Sequence, residues 1–105
     1  RKHINAVIHT HQMYASIIAA AQKDVVVLDK EHQQILGGEI IKAASYALPN
    51  TKKITVDTAK AIENSNAALM SNHGVVCIGT DMDNVFNVCE TLELACKNYV
   101  ESLKK

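Results

Sequence analysis

The chain of 105 residues lacks tryptophan and has one proline, and its only aromatic side chains are three tyrosines and one phenylalanine. Basic and acidic residues balance at 11 each, so the formal net charge is zero and neither sign is in excess. Without a basic stripe, nucleic-acid binding has little support. No apolar run approaches the ~20 residues of a membrane span, so we expect no membrane partner either.

Cysteine is also scarce, and its three copies include no CxxC pair. An odd number of unpaired cysteines is typical of reduced thiols in a cytosolic protein rather than of a disulfide framework. We therefore expect a cytoplasmic protein in which Cys77, Cys89 and Cys96 are buried core thiols and not metal ligands.

Apolar residues make up 48% of the chain and charged residues 21%, which suits one small domain with a core. Strand-like runs alternate with helical patterns, and this alternation predicts a layered α/β sheet. The strand candidates are 4–11, 25–28, the start of 39–50, and the two apolar runs that meet at Asn72-His73-Gly74. Residues 29–38 read as a loop or a short helix that stops at Gly37-Gly38.

Three longer helices are predicted, beginning near Gln12, at Thr55 and after Thr80. The first has helical spacing at Tyr14, Ile17, Ile18 and Ala21. Before the last helix, Thr80 and Asp83 form an approximate capping box. That helix carries an apolar stripe, which we expect to face the core through Val85, Cys89, Leu92, Cys96, Tyr99 and Leu103.

His9 and His11 are separated by one residue at the end of an apolar run. In a helix their side chains would lie about 200° apart around the axis. In a strand they share a face and lie about 6.6–7 Å apart along the chain, so both rings could reach one cation. The alternative is a pair of polar residues facing solvent at a strand end, because so short a motif also occurs by chance.

A third histidine, His73, ends another apolar run and is followed by Gly74. Glycine permits a sharp bend and leaves room for a ligand beside the imidazole. Three imidazoles with an open position are the layout of a catalytic zinc. The alternative is an ordinary hairpin turn. His3 and His32 are weaker candidates, and His32 is expected to be solvated in a polar loop.

The stretches "VIHTHQMYAS" and "ALMSNHGVVCIGTDMDNVFNVCETLELACKNY" resemble the class II aldolase/adducin amino-terminal-domain family. Its pattern is an HxH strand, a Gly-Gly pair, a distant His-Gly and a long helix. The chain has His9-x-His11, Gly37-Gly38, His73-Gly74 and the helix after Thr80 in that order. The resemblance covers nearly all of the chain.

This resemblance implies a three-layer α/β/α sandwich around a mostly antiparallel sheet. It also implies a divalent metal, usually zinc, held by His9, His11 and His73, and a sugar-phosphate substrate. Members are commonly homotetramers with active sites between subunits. Asn72 would orient His73 or contact the substrate, although a turn residue is an equal alternative.

Two features depart from the family pattern. The family's catalytic carboxylate and phosphate-binding loops precede the HxH strand, whereas this chain begins at Arg1 and is strand-like by Ile4. We therefore expect residues 1–105 to be the later portion of a single domain, with uncertain activity alone. Neither Glu31 nor Glu39 matches the catalytic acid, and the family tyrosine before Gly-Gly has no counterpart.

A metal held by three neutral histidines keeps its charge and acts as a Lewis acid toward a developing enediolate. The resemblance thus implies an aldolase-type lyase that cleaves a phosphorylated sugar. A sugar-phosphate 4-epimerase or a dehydratase on the same site is the alternative. A non-catalytic interaction domain of the adducin kind is less favoured, since a scaffold has no use for three convergent imidazoles.

Overall fold

The computed structural model describes residues 5–10, 12–21, 23–44, 62, 65–70 and 74–104. In chain order these form β1 (Ala6–Thr10), α1 (Met13–Ala20), β2 (Val25–Val26), α2 (Lys30–Leu36), β3 (Ile40–Ile41), β4 (Ala43–Ala44), β5 (Ala67–Met70), β6 (Gly74–Gly79) and α3 (Met82–Ser102). Within these ranges, no helix combines the length and the apolar character needed to cross a membrane.

Four of the strands form one sheet in the order β1-β6-β5-β4, and β2 and β3 form a separate antiparallel pair. The strand β6 is antiparallel to both of its neighbours, β1 and β5, and only β4 and β5 run parallel. The fold is therefore mixed α/β with a mostly antiparallel sheet, which confirms the expected fold class.

The two faces of the main sheet differ in their burial. Ala6 and Ile8 of β1 turn toward the helices, whereas Val7 is 58% exposed and His9 is also exposed. The alternation predicted for the first strand is therefore confirmed over the described residues. Val7, His9 and Ala68 lie on the other face of the sheet. Ala68 of β5 is fully buried, whereas Val7 and His9 of β1 are exposed, so this face is buried at β5 and accessible to solvent at the edge strand β1.

The long helix α3 buries the predicted stripe. Val85, Leu92 and Cys96 are fully buried and Cys89 is nearly so. Tyr99 is half-buried and packs against the core. Leu103 was expected in the same stripe but is 63% exposed. The reason is geometric, because α3 ends at Ser102 and its last residue packed on the core is Val100.

The start of α3 also differs from the predicted capping box. Asp81, not Thr80, is the N-cap, and its carboxylate accepts a hydrogen bond of 2.8 Å from the Asn84 amide. The side-chain oxygen of Asn84 in turn accepts one of 3.0 Å from the Thr80 amide. The cap therefore begins one residue later than predicted, with Asn84 in place of Asp83. The return bond differs from that of a capping box, because it comes from the residue before the N-cap and not from the N-cap itself.

The first helix begins after Gln12, as predicted, and its buried face agrees only in part with the predicted spacing, since Ile18 is buried and Tyr14 packs against the core. Ala15, Ile18 and Ala19 are buried, whereas Ile17 is 56% exposed. The helix α1 packs against α3 on one side and against β5 and β6 on the other, so its buried residues are set by two neighbours and not by one apolar stripe. The predicted residue Ala21 is likewise exposed.

The helical alternative for 29–38 is confirmed by α2. Asp29 caps it by accepting from the Glu31 and His32 amides, and Gly37 ends it at a φ of 84°. A positive φ of this size favours glycine at the position after a helix. The segment 45–50 lies outside the described residues, as does the helix predicted at Thr55 apart from Ile62 and Ser65, which lie in a turn and a bend.

Gly79 lies where β6 meets α3, and a side chain there would collide with the helix start. A Cβ atom would lie 2.5 Å from Asn84 Oδ1 and 2.8 Å from the Val85 nitrogen. We expect Gly79→Ala to lower the free energy of unfolding by about 1–3 kcal/mol through overpacking. Gly38→Ala is the matched control, since its Cβ would meet nothing closer than 3.8 Å. Equal urea midpoints for the two variants would contradict this expectation.

The three thiols are free and buried, as expected. Burial raises the pKa of Cys96 from 9.0 to about 12. The unfolded chain therefore loses this proton first, so the free energy of unfolding should fall as pH rises from about 9 toward 12. Urea unfolding across that window should show a shallower decline for Cys96→Ala than for the unmodified protein. Identical declines would show that the thiol does not titrate on unfolding.

Candidate metal centre

His9 is the one predicted ligand within the described residues. It lies in β1 opposite Val76 of β6, its side chain is exposed, and it shares its parity with Val7 on the face turned away from the helices. The last described pair of this ladder is Thr10 with Val75. The carboxyl end of β1 and the amino end of β6 therefore lie side by side at one edge of the sheet.

The other predicted site residues, His11, Asn72 and His73, lie outside the described residues. Along the chain, His11 directly follows Thr10, and His73 directly precedes Gly74, the first residue of β6. Gly74 has a φ of 90°, which favours glycine and agrees with the bend expected after His73. The convergence of the three imidazoles stays a prediction.

The weaker candidates have different surroundings. His32 lies on α2 and is half-buried, and its Nδ1 atom is buried without a hydrogen-bond partner. The expectation of a solvated loop residue was therefore wrong, because Asp29 caps a helix at this point. Glu31 and Glu39 are exposed on α2 and in the turn before β3. His3 lies outside the described ranges.

Across the part of the chain that the structure describes, no group of three His, Cys, Asp or Glu side chains could hold a metal ion. Two of the three predicted ligands lie beyond it, so the finding concerns the remaining side chains. The donor chemistry of His9, His11 and His73 nevertheless fits a divalent cation such as zinc, since three neutral nitrogens can bind it and leave a fourth position open.

Sequence reasoning missed one residue at this edge of the sheet, Glu93 of α3. Its two carboxylate oxygens accept hydrogen bonds of 3.0 Å from the backbone amides of Tyr14 and Ala15, in the first turn of α1. Gln12, the N-cap of α1, makes no capping bond with its own side chain, and the first turn contains no acidic residue. The amide-capping role is therefore taken by a residue 78 positions away from Ala15.

The electrostatics of this contact are favourable. The amino end of a helix carries partial positive charge, so a carboxylate there is stabilising. Hydrogen bonds to an ionised acceptor are also stronger than neutral ones. Beside it, Gln12 Nε2 donates to the backbone oxygen of Cys89 at 3.0 Å. No local signal could have revealed this contact, because capping rules compare residues within one turn.

Comparison with known proteins identifies one family whose model matches the sequence of this chain. The family model described as the class II aldolase and adducin N-terminal domain matches residues 1–100. The chain is 32% identical over 97 residues to an L-fuculose phosphate aldolase of Methanocaldococcus jannaschii, which covers 92% of this chain and 51% of that protein. It is 26% identical over 102 residues to a 5-deoxy-D-ribulose 1-phosphate aldolase of Bacillus thuringiensis, with coverage of 97% and 47%.

The fold shows the same likeness. A solved structure of an L-fuculose 1-phosphate aldolase superposes with a TM-score of 0.92 at 31% identity, covering 99% of this chain and 48% of that one. The chain thus spans about half the length of the curated relatives that it matches.

Proposed function

Because the chain belongs to the class II aldolase and adducin N-terminal domain family, we propose that the whole protein is a metal-dependent lyase that cleaves a phosphorylated sugar. The proposed ligands are His9, His11 and His73, and the proposed metal is zinc. The observation that carries the proposal is the pairing of β1 with β6. It places the carboxyl end of β1, which contains His9, beside the amino end of β6, whose first residue follows His73 in the sequence.

The proposed substrate class is a ketose 1-phosphate. The names of the relatives support it, since the solved L-fuculose aldolase and the 5-deoxy-D-ribulose aldolase are both named for a sugar 1-phosphate. In such a substrate, cleavage of the C3–C4 bond leaves an aldehyde and a three-carbon enediolate that takes up a proton. The aldolase names also favour cleavage over the alternative of epimerisation or dehydration.

When bound, the metal would supply Lewis-acid stabilisation of the enediolate charge. The side chains of this chain would hold it, with His9 on the open face of β1 and His11 predicted to share that face. Neutral imidazoles add no negative charge, which preserves the attraction for the substrate oxygens. Asn72 is proposed to orient His73 or to contact the substrate.

A proton-transfer group is also required, and it typically contributes ~10²–10⁴-fold to the rate. Its assignment to a carboxylate outside residues 1–105 stays a prediction, as does the expectation that these residues are the later portion of one domain. A homotetramer with shared sites and a cytoplasmic location complete the proposal. The free, buried cysteines are consistent with a reducing compartment.

Substitution of the ligands tests the proposal. His9→Ala, His11→Ala and His73→Ala should each lose bound zinc and lower the rate of ketose 1-phosphate cleavage by at least about 100-fold, since a metal supplies several kcal/mol of transition-state stabilisation. Elemental analysis of the purified protein measures the metal, and a coupled assay for the triose phosphate measures cleavage.

The matched control is His32→Ala, which removes an imidazole from α2. It should retain both metal and activity. Full metal content in the His9 and His73 variants would overturn the proposed centre. All variants are made in the whole protein, and a metal-free, inactive whole protein without substitutions would instead favour the non-catalytic adducin branch of the family.

A further inference from the structure

Hydrogen bonds join the β1–α1 junction to α3, one from a side chain of the junction and two to a side chain of α3. Gln12 donates to the Cys89 oxygen, while Glu93 accepts from the amides of Tyr14 and Ala15, all at 3.0 Å. Cys89 and Glu93 are four residues apart on α3 and therefore lie one above the other on the same side of that helix. One turn of α3 thus holds the first turn of α1 at three points.

The strand side of the junction is held as well. His9 is paired with Val76 and Thr10 with Val75 in the β1–β6 ladder. Only His11 separates this ladder from Gln12. The described residues on either side of His11 are therefore held, Thr10 by the sheet and Gln12 by α3.

We infer that Glu93 is a positioning residue for the histidine pair, which it serves by holding the amino end of α1. The inference rests on the proposed metal centre and adds to it a residue that is neither a ligand nor in contact with substrate. Loss of a group hydrogen-bonded directly to a metal ligand typically costs about 10–100-fold in metal affinity. Glu93 bonds the backbone of α1 and not a ligand, so its effect should be smaller. A positioning role therefore predicts that loss of the Glu93 carboxylate lowers metal affinity, and not only the stability of the fold.

The substitution Glu93→Gln isolates this role. The amide has the same size as the carboxylate, but only one of its two terminal atoms can accept a hydrogen bond. Its NH₂ group would face one of the two backbone donors of α1, so the two-point contact cannot be kept. Glu90→Gln is the matched control, because it removes the same charge from an exposed position of the same helix.

A second control separates positioning from stability. Ile41→Val removes one methylene from a fully buried side chain of β3, in the separate two-stranded sheet. It lowers stability through the core without touching the β1–α1 junction. Urea unfolding ranks the variants by stability, and competition with a chromophoric chelator gives the zinc dissociation constant of each.

The metal-independent measurement is the amide chemical shift of Tyr14 and Ala15 in the zinc-free protein. We expect both resonances to move upfield in Glu93→Gln, because a bond to a carboxylate is lost. Zinc affinity should fall measurably, by less than the ~10–100-fold that loss of a direct partner of a metal ligand costs. Glu90→Gln and Ile41→Val should keep the affinity of the unmodified protein.

The possible failures are distinguishable. Shifted amides with unchanged zinc affinity, or an affinity loss matched by Ile41→Val, would overturn the positioning role and leave the metal centre intact. Absence of zinc binding in the unmodified protein would overturn the proposed centre and the positioning role together. Unmoved amides in Glu93→Gln would show that the carboxylate does not cap α1.

Discussion

Burial of one side of α3 is the constraint on which the rest of the structure depends. The helix packs against the main sheet and against both shorter helices. Its fully buried side chains include Val85, Val88 and Leu92, and burial of a side chain of this size is worth ~1.5–3 kcal/mol. With so few aromatic residues, the core relies on branched aliphatic side chains, alanine and thiols. The position of α3 therefore determines where the sheet and α1 can lie.

The same helix also supplies the polar contacts at the candidate site. A helix start leaves several backbone amides without partners, and a partly buried start needs acceptors from elsewhere. The N-cap of α1 is Gln12, whose side chain does not cap the helix but donates from Nε2 to the backbone oxygen of Cys89. Glu93 of α3 provides the acceptor, so α3 carries both the apolar stripe and the polar contact next to the HxH motif.

This arrangement separates the task of folding from the proposed chemistry. The helix-facing side of β1 is apolar and packed, while its other side carries His9 at an open edge of the sheet. A metal bound there would be reachable by a polar substrate without disturbing the core. The relatives that share the family and the fold are named as aldolases of phosphorylated sugars.

The sequence by itself determined the features that appear as a regular spacing of apolar residues within one strand or one helix. The alternation around His9 placed the histidine on the open side of a strand, and the stripe from Val85 to Tyr99 identified the buried side of α3. Only the tertiary structure decided the buried face of α1, the closeness of Gly79 to Asn84 and the cap from Glu93. The cap joins residues 78 and 79 positions apart, and the buried face of α1 depends on packing against distant elements. Gly79 and Asn84 are close in the chain, but the sharp approach of β6 to the start of α3 that brings them together is not visible in a local pattern.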